Sequence, residues 1–158
     1  MLNKRVVSYV IFIVMMTCVF AENGFRGLFE RYEKLYADKP EKELNLNKLI
    51  GRDGVLFYFE NKNPQKQGNY YQLMFFGSMQ KVHYTFIHEG TTWFIYEEYF
   101  MYQERYTTEN AKITERYYKV ENGRISCFDK RSNSIENTAE TDAKIQAVIK
   151  LVKEYMNK

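Results

Sequence analysis

Residues 113–130 read ITERYYKVENGRISCFDK, and they contain the strongest hairpin signal in the chain. Its centre, Asn122-Gly123, is the dipeptide most typical of a type I′ turn between two antiparallel strands. With these two residues as the loop, opposite charges and apolar side chains meet across the strands, which supports the register. The predicted pairs are Glu121–Arg124, Val120–Ile125, Tyr118–Cys127, Tyr117–Phe128, Arg116–Asp129 and Glu115–Lys130.

Further turns extend this hairpin into a meander. We predict two-residue loops at Gly77-Ser78, Glu89-Gly90 and Glu109-Asn110, which separate runs rich in Tyr, Phe, Val, Ile and Thr. The strand between the last two loops would cover residues 91–106, which is long for a small domain, so we expect a bulge near Glu97-Glu98. The loops predict the pairs Leu73–Val82, Tyr71–Tyr84, Phe86–Trp93, Tyr84–Ile95, Lys81–Glu98, Tyr99–Val120 and Met101–Tyr118.

Alternation along these strands predicts two sheet faces. The first face is a hydrophobic core face. The second is unusual because aromatic residues are interleaved there with charged ones, and so much aromatic surface is rarely left in water. The first face collects Tyr71, Leu73, Val82, Tyr84, Phe86, Trp93, Ile95, Tyr99, Met101, Tyr118, Val120, Ile125 and Cys127. The second collects Met74, Phe76, Phe94, Tyr96, Phe100, Tyr102, Tyr106, Tyr117 and Phe128, with Lys81, His83, Glu98, Glu104 and Lys119.

A helix is predicted on each side of this sheet region. Apolar spacings of three and four over 25–39 indicate an amphipathic helix before Pro40. Ile145, Val148, Ile149 and Val152 form one stripe of a C-terminal helix, with Thr141 as its expected N-cap. The predicted fold is therefore α+β: an N-terminal helix, an antiparallel β-meander of about five strands, and a C-terminal amphipathic helix packed on the sheet.

The first 21 residues predict export. Lys4 and Arg5 precede a 15-residue apolar run, and Ala21 ends a plausible cleavage site. We therefore divide the chain into a signal peptide, 1–21, and a single exported domain, 22–158. Two alternatives stay open: an uncleaved signal anchor, and a lipoprotein modified at Cys18. The apolar run is shorter than a membrane-spanning helix needs, and cleavage removes it. No transmembrane span is therefore expected in the mature chain.

Composition excludes several classes of function. Of the 158 residues, removal of the leader leaves 137, with 21 basic and 20 acidic side chains, so no basic surface for nucleic acid is expected. Only Cys127 remains of the two cysteines, so no intramolecular disulfide can form. A fold without disulfides in an exported protein fits a periplasmic or secreted location, with a bacterial envelope favoured.

The chain carries no recognisable catalytic, cofactor or metal motif. His83 and His88 are separated by an odd number of residues in one strand, so they point to opposite faces and cannot share a metal. His88 is expected as a solvated turn residue. Cys127 falls on the core face, away from His83, which excludes a Cys–His pair. Glu97 also falls on the core face, where a carboxylate is costly unless it is paired or lies near a strand bend.

The second face raises the question of function. Three hypotheses describe it: one helix covers it or the sheet curls over it, it forms an open groove, or it joins copies of the chain in a homo-oligomer. We expect a non-enzymatic binding or interaction domain for a small apolar ligand or an envelope protein, without a cofactor. The alternatives are a small enzyme around His83 and a structural oligomer subunit. The candidate ligand-binding residues are Tyr96, Phe100, Tyr102 and His83.

Overall fold

The computed structural model describes residues 24–36, 39–60, 68–104 and 110–156. The expected signal peptide, with Cys18 and the cleavage site at Ala21, lies outside these ranges, as do Tyr106 and Glu109. Three helices and eight strands are present in the described part of the chain. In chain order they are α1 (24–33), β1 (Lys42–Asn45), α2 (Leu46–Ile50), β2 (Gly54–Phe59), β3 (Asn69–Phe76), β4 (Gln80–Glu89), β5 (Thr92–Met101), β6 (Lys112–Glu121), β7 (Arg124–Phe128), β8 (Ser134–Ile135) and α3 (Ala139–Met156).

The eight strands form one antiparallel sheet in which the order in space is the order in the chain. The α+β class is confirmed, and the count of about five strands was too low. Two short edge strands account for much of the difference: β1 has four residues, and β8 has only two. Strands so short show no usable alternation, which is why the sequence pattern did not reveal them.

The register of the Asn122-Gly123 hairpin is confirmed from Glu121–Arg124 to Tyr117–Phe128. Both loop residues have positive φ, 50° and 79°, as a type I′ turn requires. The predicted registers of the other hairpins were wrong, each shifted by an even number of residues. Leu73 pairs with Tyr84, Phe86 with Ile95, and Trp93 with Val120. An even slip leaves every side chain on its face, so the hydrophobic pattern does not distinguish these registers.

The expected long strand and its bulge are also corrected. β5 has 10 residues, and its ladder runs without interruption through Glu97, opposite Tyr84 and Arg116. Glu98 likewise pairs with a residue on each side. β5 ends at Met101 because residues 102–104 do not belong to the ladder, and β6 begins at Lys112.

The first sheet face packs against α3 and forms the larger core. The helix begins one turn earlier than expected: Thr138, not Thr141, caps it, and its hydroxyl accepts from the Thr141 backbone N–H at 3.2 Å. Met101 is an exception to the expected core face, because it is about half exposed at the strand end. The buried core residues are Leu46, Leu56, Tyr71, Leu73, Tyr84, Phe86, Trp93, Ile95, Tyr118, Val120, Cys127, Ile145, Val148, Ile149 and Val152.

The second sheet face is partly covered by α1, which supports the hypothesis of one helix on each face. Leu28 and Phe29 are buried against the sheet, and the Phe25 ring lies 4.6 Å from the Phe128 ring. The helix is shorter than the expected 25–39, because a turn follows residue 33. In the described ranges no helix has both the length and the apolar character to cross a membrane.

Candidate functional site

The strand pairings order the second face into rows that run across the sheet. One row, here called the cavity row, contains Met74, His83, Glu98 and Glu115 on four neighbouring strands. The next row toward the strand ends, here called the end row, contains Phe76, Lys81, Phe100 and Ile113. Helix α1 lies over the other side of the face, so the cavity row runs between a covered region and an open one.

A cavity of about 350 Å³ lies where α1 meets the cavity row. Its charged lining is unbalanced, with four carboxylates against one guanidinium and one imidazole. Aromatic rings supply the apolar part of the wall. The lining residues are Arg26, Phe29, Glu30, Glu33, Tyr70, Gln72, His83, Thr85, Tyr96, Glu98, Glu115 and Tyr117.

His83 and Glu98 form a hydrogen-bonded pair in this cavity. His83 Nδ1 lies 3.1 Å from Glu98 Oε2, and the two residues face each other across β4 and β5. The hydrogen bond from His83 lowers the pKa of the Glu98 carboxyl, although partial burial opposes this shift. Glu98 is therefore ionised at neutral pH. The other ring nitrogen, His83 Nε2, is buried and has no hydrogen-bond partner among the described residues.

Tyr96 and Glu115 form a second polar pair. The Tyr96 hydroxyl donates to Glu115 Oε1 at 2.7 Å, and its ring stacks on Tyr117 with centroids 4.8 Å apart. Burial raises the pKa of the Tyr96 phenol, and the hydrogen bond to Glu115 adds to this effect, so the hydroxyl keeps its proton. Glu98 and Glu115 oppose each other across the strands as like charges, and each is stabilised by its own partner.

Helix α1 supplies the remaining charges. Arg26, Glu30 and Glu33 lie four and three residues apart, so they form one stripe of the helix beside the buried Phe29. Arg26 Nε donates to Glu30 Oε1 at 2.9 Å, and both side chains are largely exposed. Among the described lining residues the only guanidinium is therefore already paired, and Glu33 and the two sheet carboxylates keep the site acidic.

The structure brings together two of the four candidate residues from the sequence. His83 and Tyr96 line the same cavity. Phe100 lies in the end row, where Lys81 Nζ is 4.7 Å from the centre of its ring. Tyr102 follows β5 and is buried beside Phe76 in a different cavity.

The predicted environment of the other histidine, His88, was wrong. His88 lies on the opposite face from His83, as the odd spacing predicts, but it is not a solvated turn residue. Its ring stacks on Trp93 with centroids 4.0 Å apart, because the turn falls later, at Gly90-Thr91. Burial lowers the pKa of this imidazole.

A buried carboxylate occupies the first face. Glu97 is 4 % exposed and accepts from the hydroxyls of Tyr84 at 3.0 Å and Tyr118 at 2.6 Å. Lys144 Nζ on α3 completes the group at 2.6 Å. The carboxylate on the core face is therefore paired, and together with Lys144 it borders a cavity of about 240 Å³.

Sequence reasoning missed the contributions of α1 and Glu115. Arg26, Glu30 and Glu33 follow helical spacing, but only the packing of α1 on the sheet shows that this stripe borders a cavity. Glu115 shares the parity of Tyr117, which was available from the sequence. The wrong register of β5 and β6, however, did not place it opposite Glu98.

No metal centre accounts for the acidic lining: within the described ranges, no three His, Cys, Asp or Glu side chains are arranged to hold a metal ion. Comparisons with protein-family models, with curated proteins and with solved structures find no match to this chain.

Proposed function

We propose that this chain is an exported, non-enzymatic binding protein whose ligand is a small organic cation such as an amine. The observation that carries the proposal is the charge imbalance of the cavity, in which Arg26 is paired with Glu30 and three further carboxylates, Glu33, Glu98 and Glu115, remain. A buried or half-buried carboxylate is stabilised by a nearby cation. A cationic ligand therefore gains a favourable electrostatic interaction with these carboxylates, which a neutral or anionic ligand does not.

The aromatic wall supports the same class of ligand. Tyr96, Tyr117 and Phe29 border the cavity, and the electron-rich face of such a ring attracts an ammonium group. The phenol proton of Tyr96 is already donated to Glu115, so it is not available to an anion. The polar groups open to a ligand are therefore mainly hydrogen-bond acceptors, and an amine supplies the donors they need.

This proposal keeps the expected binding role and changes the expected ligand. An apolar ligand would suit a second cavity of about 290 Å³, lined by Phe25, Leu28 and Phe94 with Lys119 at its edge. Export remains part of the proposal, on the evidence of the leader sequence alone.

Three six-carbon probes test the ligand class: hexanediamine, hexanediol and adipate, each titrated into the protein by calorimetry. We expect measurable binding of the diamine, weaker binding of the diol and none of adipate, with an affinity for the diamine that falls as salt is added. Equal binding of all three probes would contradict the proposal. Binding of hexanediol alone would favour the apolar cavity.

Charge-neutralising variants then locate the site. Glu98→Gln and Glu115→Gln should each weaken diamine binding by about tenfold or more, because each removes a charge-assisted hydrogen bond. The matched control is Glu140→Gln, which makes the same change at an exposed position in the first turn of α3. If the control weakens binding as much as the cavity variants do, the amine is attracted by overall charge and not by this site.

The His83–Glu98 pair favours a second candidate, a small acid–base enzyme. An imidazole held by a carboxylate is a common arrangement for proton transfer. Two observations weigh against it: His83 Nε2 is shielded from solvent, and Thr85 is the only aliphatic hydroxyl among the described lining residues. Chemical conversion of a bound amine or its amide that stops in His83→Gln would support the enzyme. Unchanged ligand recovered from both proteins would support binding.

A further inference from the structure

The cavity of about 240 Å³ beside Glu97 lies on the first sheet face, on the other side of the sheet from the proposed amine site. Four of its lining residues form a block on β5 and β6, in which Glu97 pairs with Arg116 and Tyr99 pairs with Thr114. Alternate residues of a strand point to one face, so these four side chains share the face on which α3 packs. Lys144 on α3 completes the wall, so the described lining residues include two cations and one carboxylate.

The carboxylate of this cavity is already engaged by three donors. Glu97 Oε1 accepts from the Tyr84 hydroxyl and from Lys144 Nζ, and Glu97 Oε2 accepts from the Tyr118 hydroxyl. Glu97 is also the only acidic side chain that the described strands place on this face. Because the Lys144 ammonium offsets the charge of Glu97 directly, the positive charge of the second cation, Arg116, remains in the cavity.

Arg116 is partly buried and has no carboxylate at ion-pair distance among the described residues. Its guanidinium interacts with the Tyr118 hydroxyl, but a guanidinium carries five N–H donors, so most of them remain for a ligand. Asp129, the first residue after β7, would face Arg116 if the ladder continued. The Asp129 carboxylate accepts instead from the backbone N–H groups of Arg131 and Asn133. Arg116 is therefore a cation that the described part of the fold leaves without an anion.

The other polar groups of the wall are mainly donors as well. An ammonium has three N–H groups, and Lys144 uses one of them on Glu97 Oε1. The Thr114 hydroxyl is exposed and can donate. The Tyr99 hydroxyl gives its proton to Gln80 Oε1, so Tyr99 contributes mainly the flat surface of its ring. A ligand that fits this wall must supply hydrogen-bond acceptors and negative charge.

We propose that this cavity binds the carboxylate of a small organic monoanion. The Arg116 guanidinium would bind it through two parallel hydrogen bonds, Lys144 Nζ would add a donor, and the Tyr99 ring would contact the apolar body of the ligand. The two cations and Glu97 leave one positive charge, so the second charge of a dianion such as adipate would lie beside Glu97 without a partner. The exposed Glu140, one helical turn before Lys144, adds to this selection for a single charge. The proposal does not depend on the amine site of the second face.

Three probes with the same ring test the charge of the ligand: benzoate, benzamide and phthalate, each titrated into the full-length protein by calorimetry at neutral pH. We expect benzoate to bind with an affinity that falls as salt is added, and benzamide and phthalate to bind about tenfold more weakly or less. No binding of benzoate, or equal binding of benzoate and benzamide, would overturn the proposal. Tighter binding of phthalate than of benzoate would overturn the selection for a single charge.

Two variants locate the site. Arg116→Gln should weaken benzoate binding by about tenfold or more, because it removes the charge-assisted pair. The matched control is Arg124→Gln, which makes the same change at an exposed position on the other face and should bind benzoate as the unchanged protein does.

The second variant, Thr114→Glu, keeps the test valid if the loss of Arg116 disturbs the fold. Thr114 is exposed and lies two residues before Arg116 on the same face, so the introduced carboxylate should occupy the guanidinium with the fold intact, which circular dichroism verifies. We expect Thr114→Glu to lose benzoate binding by about tenfold or more. Unchanged binding in Thr114→Glu, or an equal loss in Arg124→Gln, would overturn the proposal.

Discussion

Lys144 Nζ lies 2.6 Å from Glu97 Oε1, so the ammonium of a helix residue binds the buried carboxylate of a strand residue 47 positions earlier in the chain. The carboxylate is almost fully buried, whereas the lysine side chain is 38 % exposed. The pair joins α3 to the centre of the first sheet face, with Tyr84 and Tyr118 as further donors.

Removal of the lysine should destabilise the fold. We expect Lys144→Met to lower the free energy of unfolding by about 1–2 kcal/mol, less than for a fully buried pair, because two phenols still donate to Glu97 and the lysine is partly solvated. Urea denaturation followed by Trp93 fluorescence measures the change. Lys150→Met, on the exposed side of the same helix, is the control, and equal stability of the two variants would show that the contact contributes nothing.

Two tyrosines should respond in opposite directions to the same substitution. The buried Tyr36 hydroxyl has no hydrogen-bond partner among the described residues, whereas the Tyr118 hydroxyl donates to Glu97 at 2.6 Å. Tyr36→Phe should therefore leave stability unchanged or raise it by up to about 1 kcal/mol, and Tyr118→Phe should lower it by about 1–2 kcal/mol. Both values come from urea denaturation. A loss of stability in Tyr36→Phe as large as in Tyr118→Phe would contradict this assignment.

Alkaline pH should unfold the protein cooperatively. Burial raises the pKa of eight described tyrosines, Tyr36 and Tyr71 to about 12, from an ordinary value of 10.0. A raised pKa in the folded state contributes stability below pH 10, and this stability is lost as the pH rises from 10 through the folded values, since the unfolded chain releases protons first.

Tyrosinate absorbance and far-ultraviolet circular dichroism, recorded together from neutral pH upward, measure this transition. The buried phenols should ionise in the same step in which secondary structure is lost. Ionisation of most phenols near pH 10 with the sheet intact would show that they are not protected by the fold.

Cys127 should be chemically inert in the folded protein. Its side chain is buried, and burial raises the pKa of the thiol, so little thiolate is present at neutral pH. A thiol reagent should therefore label Cys127 only after the protein is unfolded in urea. Thr91→Cys, at an exposed turn position, supplies a reactive control in the same fold. Rapid labelling of Cys127 in the native protein would contradict its placement in the core.

Export should produce a mature chain that begins at Glu22. The residue before the cleavage point must be small, so Ala21→Lys should leave the leader attached, while Glu22→Gln should be processed normally. The intact mass of the protein recovered from the cell envelope or medium distinguishes these forms. A mass that begins at Cys18 with a lipid attached would favour the lipoprotein alternative, and an unprocessed chain would favour the signal anchor.

The sequence predicted the sheet faces better than the strand pairings. Side-chain alternation identifies a face, and any even slip preserves it, so Leu73 and Tyr84 were assigned correctly to the core although their partners were wrong. Only Asn122-Gly123 determined its pairing, because both residues accept the positive φ that the turn requires. Gly77 was predicted to be a loop residue. In the structure its N–H donates to the Gln80 carbonyl, so the loop begins only after Gly77.

The candidate site was predicted only in part, for a different reason. His83 and Tyr96 share a face by parity, and the cavity contains both. The cavity exists only because α1 crosses that face and adds Arg26, Glu30 and Glu33. Such a crossing depends on packing between residues far apart in the chain, and no local pattern encodes the place where it occurs.

Helices α1 and α3 lie on opposite faces of the sheet, and both follow the meander from its late strands toward its early ones. The first described residues lie over late strands, with the Phe25 N–H donating to the Ser132 hydroxyl, and the last helix reaches back to β1, where Lys42 Nζ contacts the Tyr155 carbonyl. Each strand otherwise pairs only with its neighbours in the chain, so the ladder alone would let either edge fray independently. Helices α1 and α3 connect strands near the two edges of the sheet. Loss of either helix should loosen strands that are far from that helix in the chain. The domain should therefore unfold as one unit rather than strand by strand.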